Sequence, residues 1–375
     1  MAEYLTNTTD LTLVADAIRT KGGTTELLTY PDEFVTAIHA IQTGTELQII
    51  VTVESGATVT ATKGSLSVSG TSVNGMCTLT VPEAGEWTVS ATLGGQTSNS
   101  DIVNVVSSYD TSLAFISTTL NDNSWEAIRG ISDAGQGANY WSIGDRKELT
   151  LNGTVGHLSL SNYTTYAFII GFNHNAGVEG ANRIHFQLAK TALSGGKDVA
   201  LCDSKYNSQV SATGYFSMNS SNTNSGGWKS SKMRTKICGT SLSSYSGTII
   251  AVIPAALRAV LKSVTKYTNN TGNSSAASAV TVTTDYFFLL SEYEVFGTII
   301  RGNPNESSKQ AQYSYYSAGN SKIKYKHNGT STAAPWWLRS PNASYSTSFV
   351  YVRTDGTVGY DYGNRSLGFA PGFCV

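Results

Sequence analysis

Charged residues are scarce in this chain. Lysine, arginine, aspartate and glutamate make up only 14% of its 375 residues, and the formal net charge is −1. A nucleic-acid-binding protein needs a basic patch or stripe to contact phosphates, so this composition argues against a nucleic-acid partner. Aromatic residues reach 10%, which is enough to support a packed core and argues against disorder.

Long apolar runs and paired cysteines are also missing. No apolar stretch approaches the roughly 18 residues of a membrane-spanning helix, so we expect no membrane insertion. The first residues lack the basic and apolar regions of a secretory peptide. The four cysteines have no CxxC pair among them and lie at Cys77, Cys202, Cys238 and Cys374. Buried free thiols are therefore favoured over a disulfide framework or a metal-binding cluster.

Residues 1–43 have helical periodicity. Leu11, Val14 and Ile18 follow a candidate cap at Asp10, and Gly22-Gly23 ends the pattern. A second short helix is predicted after Pro31, and its apolar face would comprise Phe34, Val35, Ile38 and Ile41. The order LVADAIRTKGG…LTYPDEFVTAIHAIQTG resembles a segment near the start of phage tail and structural proteins. The alternative is a helical hairpin that packs on a neighbour.

Residues 45–107 alternate apolar and polar side chains, which is typical of β-strands. Ile49, Val51 and Val53 form one such run, and turn signals such as Asn74-Gly75 separate the runs. Short strands at this spacing predict a small immunoglobulin-like β-sandwich with Trp87 in its core. The run VPEAGEWTVSAT resembles bacterial and phage immunoglobulin-like repeats, which implies a spacer or a weak adhesin.

Residues 110–375 form the largest predicted domain, with many short apolar runs between Gly, Asn and Ser turns. One helix is predicted from Pro254, with Leu257, Val260, Leu261 and Val264 as its apolar residues. A second helical stretch is predicted at 181–194. The rest of this domain is predicted to be irregular with β-ribbons, so the chain as a whole is classed as mainly β or α+β.

Several phrases of this domain occur in one order: WSIGD at 141–145, AFIIGFNH at 167–174 and MNSSNTNSGGWKSSKMR at 218–234. FLLSEYEVFG at 288–297, WWLRSPN at 336–342 and GFAPGFCV at 368–375 follow. This order resembles the variable proteins of diversity-generating retroelements. The resemblance implies a C-type-lectin-like domain, of the type shared with formylglycine-generating enzymes, that presents a hypervariable region at about 342–368.

The last 34 residues, Asn342 to Val375, contain no Lys, Glu, Gln, Met or Trp. These types total 46 in the whole chain, so about four would be expected here by composition alone. In the family that the chain resembles, template adenines are randomised and AAC codons become NNC, which cannot encode these five types. The deficit agrees with the resemblance, although chance is an alternative.

A hairpin is predicted within this region. The turn Thr354–Thr357 is flanked by Phe349 to Arg353 and by Val358 to Tyr362. Val350 and Val352 would face the core, with Phe349, Tyr351 and Arg353 on the other face. The run after Val358 is predicted to leave the sheet as a loop. Tyrosine and small polar residues suit an adaptable binding surface. The resemblance implies these variable, ligand-binding positions: Ser344, Tyr345, Ser346, Ser348, Tyr351, Arg353, Gly359, Tyr360, Asp361, Tyr362, Asn364, Arg365 and Leu367.

The four tyrosines in that set are expected to be more exposed than most tyrosines of the chain, with little packed against them. The alternative is an ordinary tyrosine-rich β-surface. A fixed frame beneath the variable positions is implied for Trp336, Trp337, Arg339, Pro341, Pro371 and Phe373.

Two catalytic or metal-binding interpretations compete with this one. An acid–base cluster could comprise Asp145, Arg234, Glu292, Glu294 and Arg339, but charge-assisted hydrogen bonds that fix loops explain these residues better. His174 and His185 suggest a metal, but no third ligand stands at suitable spacing. The motifs of calcium-dependent lectins are absent. We therefore expect no catalytic residues, no metal and no cofactor.

The sequence thus predicts recognition of a target, without catalysis, by a phage tail or virion protein that is assembled in a host cytoplasm. Its partners would be a bacterial surface protein or glycan and other tail proteins, and a homo-oligomer is left open. The alternatives are an oxidase of the formylglycine-generating type, which would need Cys238 and Cys374, a tail depolymerase, or adhesion through the immunoglobulin-like module.

Overall fold

The computed structural model describes residues 8–22, 27–28, 33–34, 37 and 46–375. The chain divides into two compact units, Met1–Phe115 and Ile116–Val375. Strands hold 38% of the residues and helices 20%, which confirms the predicted mainly β class. Among the described residues, no helix has the length and apolar character needed to cross a membrane.

The first helix spans Thr8–Gly22. It begins two residues before Asp10, so the predicted cap position is wrong. Ala15 and Ile18 are buried against Phe34, whereas Val14 is exposed, because the apolar contact is limited to one narrow face. Most of the second predicted helix, including Val35, Ile38 and Ile41, lies outside the described residues.

The described part of the first unit contains eight strands. They are β1 Gln48–Thr52, β2 Thr58–Lys63, β3 Leu66–Thr71, β4 Met76–Thr80, β5 Gly85–Leu93, β6 Gln96–Thr97, β7 Asp101–Val105 and β8 Ser108–Ser112. One sheet has the order β4-β1-β8, and the other has the order β3-β2-β5-β6 with β7 also paired to β5. Alternate residues of both sheets share one core, in which Trp87 is fully buried as predicted. Its indole N–H is satisfied by the carbonyl of Glu83 at 3.1 Å.

The first unit ends later than the sequence suggests. Strand β8 pairs in parallel with β1 and lies beyond residue 107, and the unit extends to Phe115. The predicted boundary at 107–110 is therefore too early. The sequence of β8, SYDTS, lacks the apolar alternation of the other strands, because it is an edge strand with mostly exposed side chains.

The second unit contains thirteen strands among its described residues. They are β9 Arg146–Val155, β10 Leu158–Phe172, β11 Ile184–Lys190, β12 Val199–Ala200, β13 Val264–Asn269, β14 Val280–Asp285, β15 Phe287–Phe288, β16 Lys324–Lys326, β17 Gly329–Ala334, β18 Trp336–Pro341, β19 Ser348–Val352, β20 Val358–Tyr362 and β21 Gly372–Cys374. Its α-helices are short: Trp125–Asp133, Gly137–Tyr140, Ala176–Glu179, Gly227–Ser230, Ile249–Val252, Ala255–Val260, Glu292–Phe296 and Ser314–Ser317. A single π-helical turn spans Met233–Cys238.

The central sheet of this unit has the order β15-β21-β11-β10-β9. Strand β11 lies in the middle and is buried at every position, so the helix predicted at 181–194 is wrong. Its sequence IHFQLAK does not alternate cleanly, because even its polar side chains are buried and hydrogen-bonded. Gln187, for example, donates to the carbonyl of Ala370 at 3.0 Å and accepts from the Tyr316 hydroxyl at 2.6 Å.

The helix predicted from Pro254 is present but shorter than expected. It spans Ala255–Val260 with Pro254 as its N-cap, and Leu257 and Val260 are buried. Val264, predicted as a helical residue, instead begins β13. The helix stops because the chain must turn to pair β13 with β14.

The predicted frame residues are buried. Trp336, Trp337, Arg339 and Phe373 are fully inaccessible, and Pro341 and Pro371 are also buried. The two indole N–H groups donate to the carbonyls of Lys322 and Phe216, so the burial of both tryptophans leaves no polar atom unpaired. The small three-stranded sheet β18-β19-β20 is thus anchored to the core by its first strand.

Candidate functional site

The predicted hairpin is present. Strands β19 and β20 are antiparallel, and Arg353 and Thr357 close the turn with a 2.8 Å backbone hydrogen bond. Gly356 has a φ of 84°, which a residue with a Cβ rarely adopts, and Asp355 accepts from the Thr357 N–H at 2.9 Å. One expectation is corrected: β20 continues from Val358 to Tyr362 and does not leave the sheet after Val358.

The loop that enters the hairpin, residues 342–348, is held by Asn224. This side chain is almost fully buried, and its Nδ2 lies 2.9–3.0 Å from the carbonyl oxygens of Asn342, Tyr345 and Ser348. The backbone N–H of Asn224 also donates to the carbonyl of Ser346 at 2.7 Å. One residue from a distant segment therefore fixes four carbonyl groups of the loop.

Asn342 holds the same loop from within. Its Oδ1 accepts from the backbone N–H groups of Ser344 and Tyr345 at 2.8 and 3.1 Å. This arrangement is an Asx turn, in which the side chain replaces a backbone acceptor. Neither Asn342 nor Asn224 belongs to the predicted variable positions, so the loop conformation does not depend on the side chains proposed to vary.

The segment that leaves the hairpin is held by backbone hydrogen bonds, together with side-chain contacts of Arg365 and Ser366. Gly363 donates to the carbonyl of Thr347 at 2.8 Å and accepts from the N–H of Asn219 at 2.8 Å. Val210 donates to the carbonyl of Asn364, again at 2.8 Å. Backbone hydrogen bonds do not depend on side-chain identity, so the bond accepted by the carbonyl of Asn364 is compatible with other side chains at that position.

The four tyrosines of the predicted site differ in exposure. Tyr345 is 51% exposed and Tyr362 is 42% exposed, and among the described residues only Tyr109 is a further exposed tyrosine. Tyr351 and Tyr360 are half-buried. The expectation of high exposure therefore holds for two of the four.

The expectation that little packs against these tyrosines is wrong. The rings of Tyr345 and Tyr360 are stacked, with centroids 5.1 Å apart, and the Arg301 guanidinium lies 5.2 Å from the Tyr360 ring centroid. Tyr351 contacts Trp337 edge-on at 6.1 Å. Neighbouring aromatic side chains cover one another because this removes apolar area from water. The result is a rigid aromatic patch with two outward-facing rings.

Three of the predicted variable positions are buried and lie away from the exposed surface: Ser348, Gly359 and Leu367. Leu367 packs in the main core of the unit, and the carbonyl of Ser348 is one of the groups held by Asn224. Gly359 lies beneath the ring of Tyr351, where an added Cβ would be 2.7 Å from the ring carbon Cζ. These positions are corrected from surface to structural residues.

The other predicted positions remain accessible. Ser344, Ser346 and Arg353 are exposed, and Asp361, Asn364 and Arg365 are half-buried. Asp361 and Arg365 form an ion pair with a 3.0 Å separation, and Arg365 also donates to Asn207 at 3.1 Å. We call the exposed and half-buried set the hairpin surface: Ser344, Tyr345, Ser346, Tyr351, Arg353, Tyr360, Asp361, Tyr362, Asn364 and Arg365.

A buried network of charged groups stabilises the interior beneath the frame. Both carboxylate oxygens of Glu294 accept from Arg339, and Lys266 lies 2.9 Å from Glu294 and 2.6 Å from Glu179. Burial alone would raise the pKa of Glu294, but Arg339 and Lys266 outweigh it and hold that pKa below its ordinary value. These groups neutralise one another, which fits a loop-fixing role.

The acid–base cluster considered from the sequence is not brought together as one site. Arg234 pairs with Asp285 at 2.6 Å, Asp145 accepts from the N–H of Ser142, and Glu292 accepts from the backbone N–H groups of residues 300–302. Only Glu294 and Arg339 of that set contact each other. Each of these charged groups fixes a different loop.

The two histidines have a neighbour that the sequence argument missed. Glu179 lies 3.7 Å from Nε2 of His174 and 3.9 Å from Nδ1 of His185. His174, Glu179 and Glu294 form one group of potential metal ligands among the described residues. The i, i+5 spacing of His174 and Glu179, across a short helix, was the available signal. Glu294 has both oxygens engaged, and the ammonium of Lys266 already occupies the space between the two carboxylates.

Burial controls the ionisation of this group. Burial, with a further contribution from Lys266, lowers the pKa of His174 to about 3, so this histidine is neutral at physiological pH. Burial raises the pKa of Glu179 to about 7 despite the opposing charge of Lys266. Tyr313 stacks on His174 and its hydroxyl lies 3.1 Å from His185, which closes the group from solvent.

The four cysteines are free and buried, as predicted. Burial raises the pKa of the Cys202 and Cys374 thiols to about 12, and it also raises the pKa of Cys238. Thiol chemistry needs the thiolate, which these environments disfavour. Cys374 lies 3.3 Å from Nδ1 of His185, while Cys238 lies in the π-helical turn, in the field of Asp285 and Arg234.

Comparison with protein families gives one match. Residues 204–375 match a family described as a domain of unknown function, DUF6273. The matched range contains the hairpin surface, the frame and both asparagines that hold the loop. No curated protein matches the chain.

Proposed function

We propose that the second unit is a C-type-lectin-like target-recognition domain and that the hairpin surface binds the target. The observation that carries the proposal is the separation of scaffold from surface. The loop and hairpin backbones are held by Asn224, Asn342 and backbone groups, while the exposed side chains of the hairpin surface, such as Tyr345, Arg353 and Tyr362, face outward. Such a surface can vary without loss of the fold.

The composition of the surface supports the same function. Rigid aromatic rings give a large contact area at a low entropic cost, and short polar side chains supply adaptable hydrogen bonds. Tyr345, Tyr362 and Arg353 are the exposed anchors. The missing Lys, Glu, Gln, Met and Trp after residue 342 agree with diversification of the type found in diversity-generating retroelements.

We propose further that the protein is part of a phage tail or virion and that the target is a bacterial surface protein or glycan. The first unit, with two sheets around Trp87, would be the immunoglobulin-like spacer. It exposes the large apolar side chains of Val73, Met76, Ile102 and Val106, each more than half accessible. Exposed apolar side chains that are scattered singly are ordinary on a protein surface, so the proposed contacts with other tail proteins, or with a second copy of the chain, rest on the phage-tail assignment and not on these residues.

The test is adsorption of the full chain to bacterial cells by a double variant, Tyr345→Ser with Tyr362→Ser. Exposed substitutions change stability by about 0.5 kcal/mol or less each. Aromatic anchors often contribute about 2 kcal/mol apiece, so affinity should fall by roughly 27-fold per tyrosine, since 1.4 kcal/mol is tenfold. Tyr109→Ser in the first unit is the matched control, because Tyr109 is equally exposed there.

The control also separates the two adhesion hypotheses. Loss of adsorption in the double variant and not in Tyr109→Ser supports the hairpin surface. Unchanged adsorption of the double variant would contradict the proposal. A second, independent observation would be an adenine-rich near-copy of the coding sequence for the last residues, located beside a reverse-transcriptase gene.

A further inference from the structure

A polar pocket lies beside the hairpin surface. Its volume is about 290 Å³, and its lining includes the side chains of Asn219, Ser221, Thr223, Ser225, Lys232 and Lys236. This size is near the lower end of the roughly 300–1,000 Å³ of ligand pockets, which suits a single sugar or polyol residue.

The pocket wall and the hairpin surface share one scaffold. Asn219 donates its backbone N–H to the carbonyl of Gly363 at 2.8 Å and its side-chain Nδ2 to the carbonyl of Thr223 at 2.8 Å. The carbonyl oxygen of Thr223 lies so close to Gly363 that an added Cβ would approach it to 2.7 Å. A molecule bound to the hairpin surface would therefore be within reach of this pocket.

The two charged side chains that line the pocket, Lys232 and Lys236, are both cationic, and Asp203 is an acidic group outside the lining whose charge acts on Lys232. Between Asp203 and Asp285 the chain contains no aspartate or glutamate, whereas it contains eight lysines and arginines. Three of these cations are paired with acidic groups elsewhere: Arg234 with Asp285, Lys262 with Asp133, and Lys266 with Glu179 and Glu294. Lys232 and Lys236 form no ion pair with a described carboxylate, and no acidic residue lines the pocket.

Lys232 is a positioned donor. Only 6% of this residue is exposed, and its Nζ donates to the carbonyl of Tyr215 at 2.8 Å and to Oγ of Ser217 at 2.6 Å. An ammonium has three N–H donors, so one remains for a ligand. Burial lowers the pKa of Lys232 to about 8, which leaves it mostly protonated at neutral pH. Lys236 is exposed and adds a second, mobile charge.

We propose that this pocket binds the anionic group of a polyhydroxylated ligand, a sugar or polyol that carries a phosphate or a carboxylate. The two ammonium groups would contact the anionic oxygens, and the Ser, Thr and Asn side chains would contact the hydroxyl groups. Sites for neutral sugars commonly need carboxylate acceptors for the hydroxyl groups, and this pocket has none. The inference rests on the proposed target recognition and specifies the chemistry of the target.

The experiment is a titration of the full-length protein, followed by NMR or calorimetry, with three probes: glycerol 3-phosphate, glucuronate and glucose. We expect the two anions to bind and glucose not to bind. The anion that binds with the higher affinity indicates whether the ligand carries a phosphate or a carboxylate. Binding should weaken as salt is raised from low to high ionic strength, because exposed charges are screened. Equal binding of glucose would overturn the inference.

Two substitutions locate the binding. Lys236→Gln should weaken binding of the anions by about tenfold, the value of one charge-assisted hydrogen bond. Lys229→Gln is the matched control, because Lys229 is an exposed lysine of the same segment that does not line the pocket. Since Lys236 is also exposed, neither variant should change folding. If both substitutions weaken binding equally, the anions are attracted by general positive charge, and the inference that this pocket binds them is wrong.

The outcome can be distinguished from that of the proposed function. If Tyr345→Ser with Tyr362→Ser abolishes adsorption to cells while neither anion binds the protein, the pocket inference fails and the hairpin surface stands. If glycerol 3-phosphate or glucuronate binds and Lys236→Gln weakens it, while the tyrosine variant adsorbs normally, the pocket stands and the hairpin surface fails.

Discussion

The same substitution should destabilise the protein at one of the two asparagines that hold the 342–348 loop and have little effect at the other. In Asn224→Asp an acceptor oxygen replaces the amide donor that lies 2.9–3.0 Å from the carbonyls of Asn342, Tyr345 and Ser348. In Asn342→Asp the acceptor oxygen is retained for the N–H groups of Ser344 and Tyr345. Nδ2 of Asn342 has no hydrogen-bond partner among the described residues, so its replacement breaks no bond.

The expected losses of unfolding free energy follow from the number of hydrogen bonds that each substitution removes. The amide of Asn224 has two hydrogens, so Asn224→Ala removes two hydrogen bonds and costs about 1–3 kcal/mol at roughly 0.5–1.5 kcal/mol each. Asn224→Asp places a buried carboxylate against three carbonyl dipoles and should cost at least about 1 kcal/mol more than the alanine variant. Asn342→Asp keeps two charge-assisted hydrogen bonds and should stay within about 1 kcal/mol of the natural protein.

The assay is urea unfolding followed by tryptophan fluorescence. Five of the six tryptophans lie in the second unit, at 125, 141, 228, 336 and 337, so the signal reports mainly on that unit. If Asn224→Asp proves no less stable than Asn224→Ala, the amide does not donate to the loop. An Asn342→Asp variant as unstable as Asn224→Asp would refute the distinction between the two asparagines.

Three further predictions concern a tryptophan of the frame, the buried carboxyl group of Glu306 and two buried cysteines. Trp337→Ala should cost about 3–5 kcal/mol through lost burial and cavity formation, and an unchanged unfolding midpoint would remove Trp337 from the frame. Burial raises the pKa of Glu306 to about 7 from 4.5, so its stabilising contribution is present below pH 4.5 and is lost as the pH rises through 7. Between about pH 5 and about pH 8, the unfolding free energy should therefore decline less in Glu306→Gln than in the natural protein. The exposed control Glu126→Gln should show the same decline as the natural protein. Cys238→Ser and Cys374→Ser should leave adsorption to cells unchanged, and oxidase activity abolished by either would favour an enzyme.

The sequence was sufficient to predict the hairpin and the buried frame. The turn Thr354–Thr357 carries its own signal in Asp355-Gly356, and Val350 and Val352 are buried as their alternation predicts, while Phe349 on the other face is buried too. Large apolar side chains such as Trp337 have few alternatives to burial. These features depend on neighbours in the sequence, and local patterns are what a single sequence reveals.

The errors have physical causes that are not local. Gly359 reads as a strand breaker, but the ring of Tyr351 on the paired strand covers it and β20 continues. The stretch 181–194 has no clean alternation because both faces of β11 are buried. Its polar side chains His185 and Gln187 form hydrogen bonds with Tyr313 and Tyr316, which come from more than a hundred residues away.

The buried network of charged groups beneath the frame was not predicted, for the same reason. Glu179 and Lys266 meet only because the helix Ala176–Glu179 packs beside strand β13. The hydrogen bonds from Asn224 to the 342–348 loop could not be predicted either, because a single asparagine in a Ser- and Asn-rich segment gives no signal of its partner loop. The burial of Ser348 and Leu367 likewise depends on contacts with residues that are distant in the sequence.

The most direct test of the account exchanges the side chains of the hairpin surface while the scaffold is left intact. The exposed residues Ser344, Tyr345, Ser346, Arg353 and Tyr362 would be randomised together in the full chain, and the variants would be selected on a panel of bacterial strains. The account predicts that variants with altered strain preference unfold within about 1 kcal/mol of the natural protein, because exposed positions contribute little to stability. If every folded variant keeps the original strain preference, the hairpin surface is not where the target is recognised.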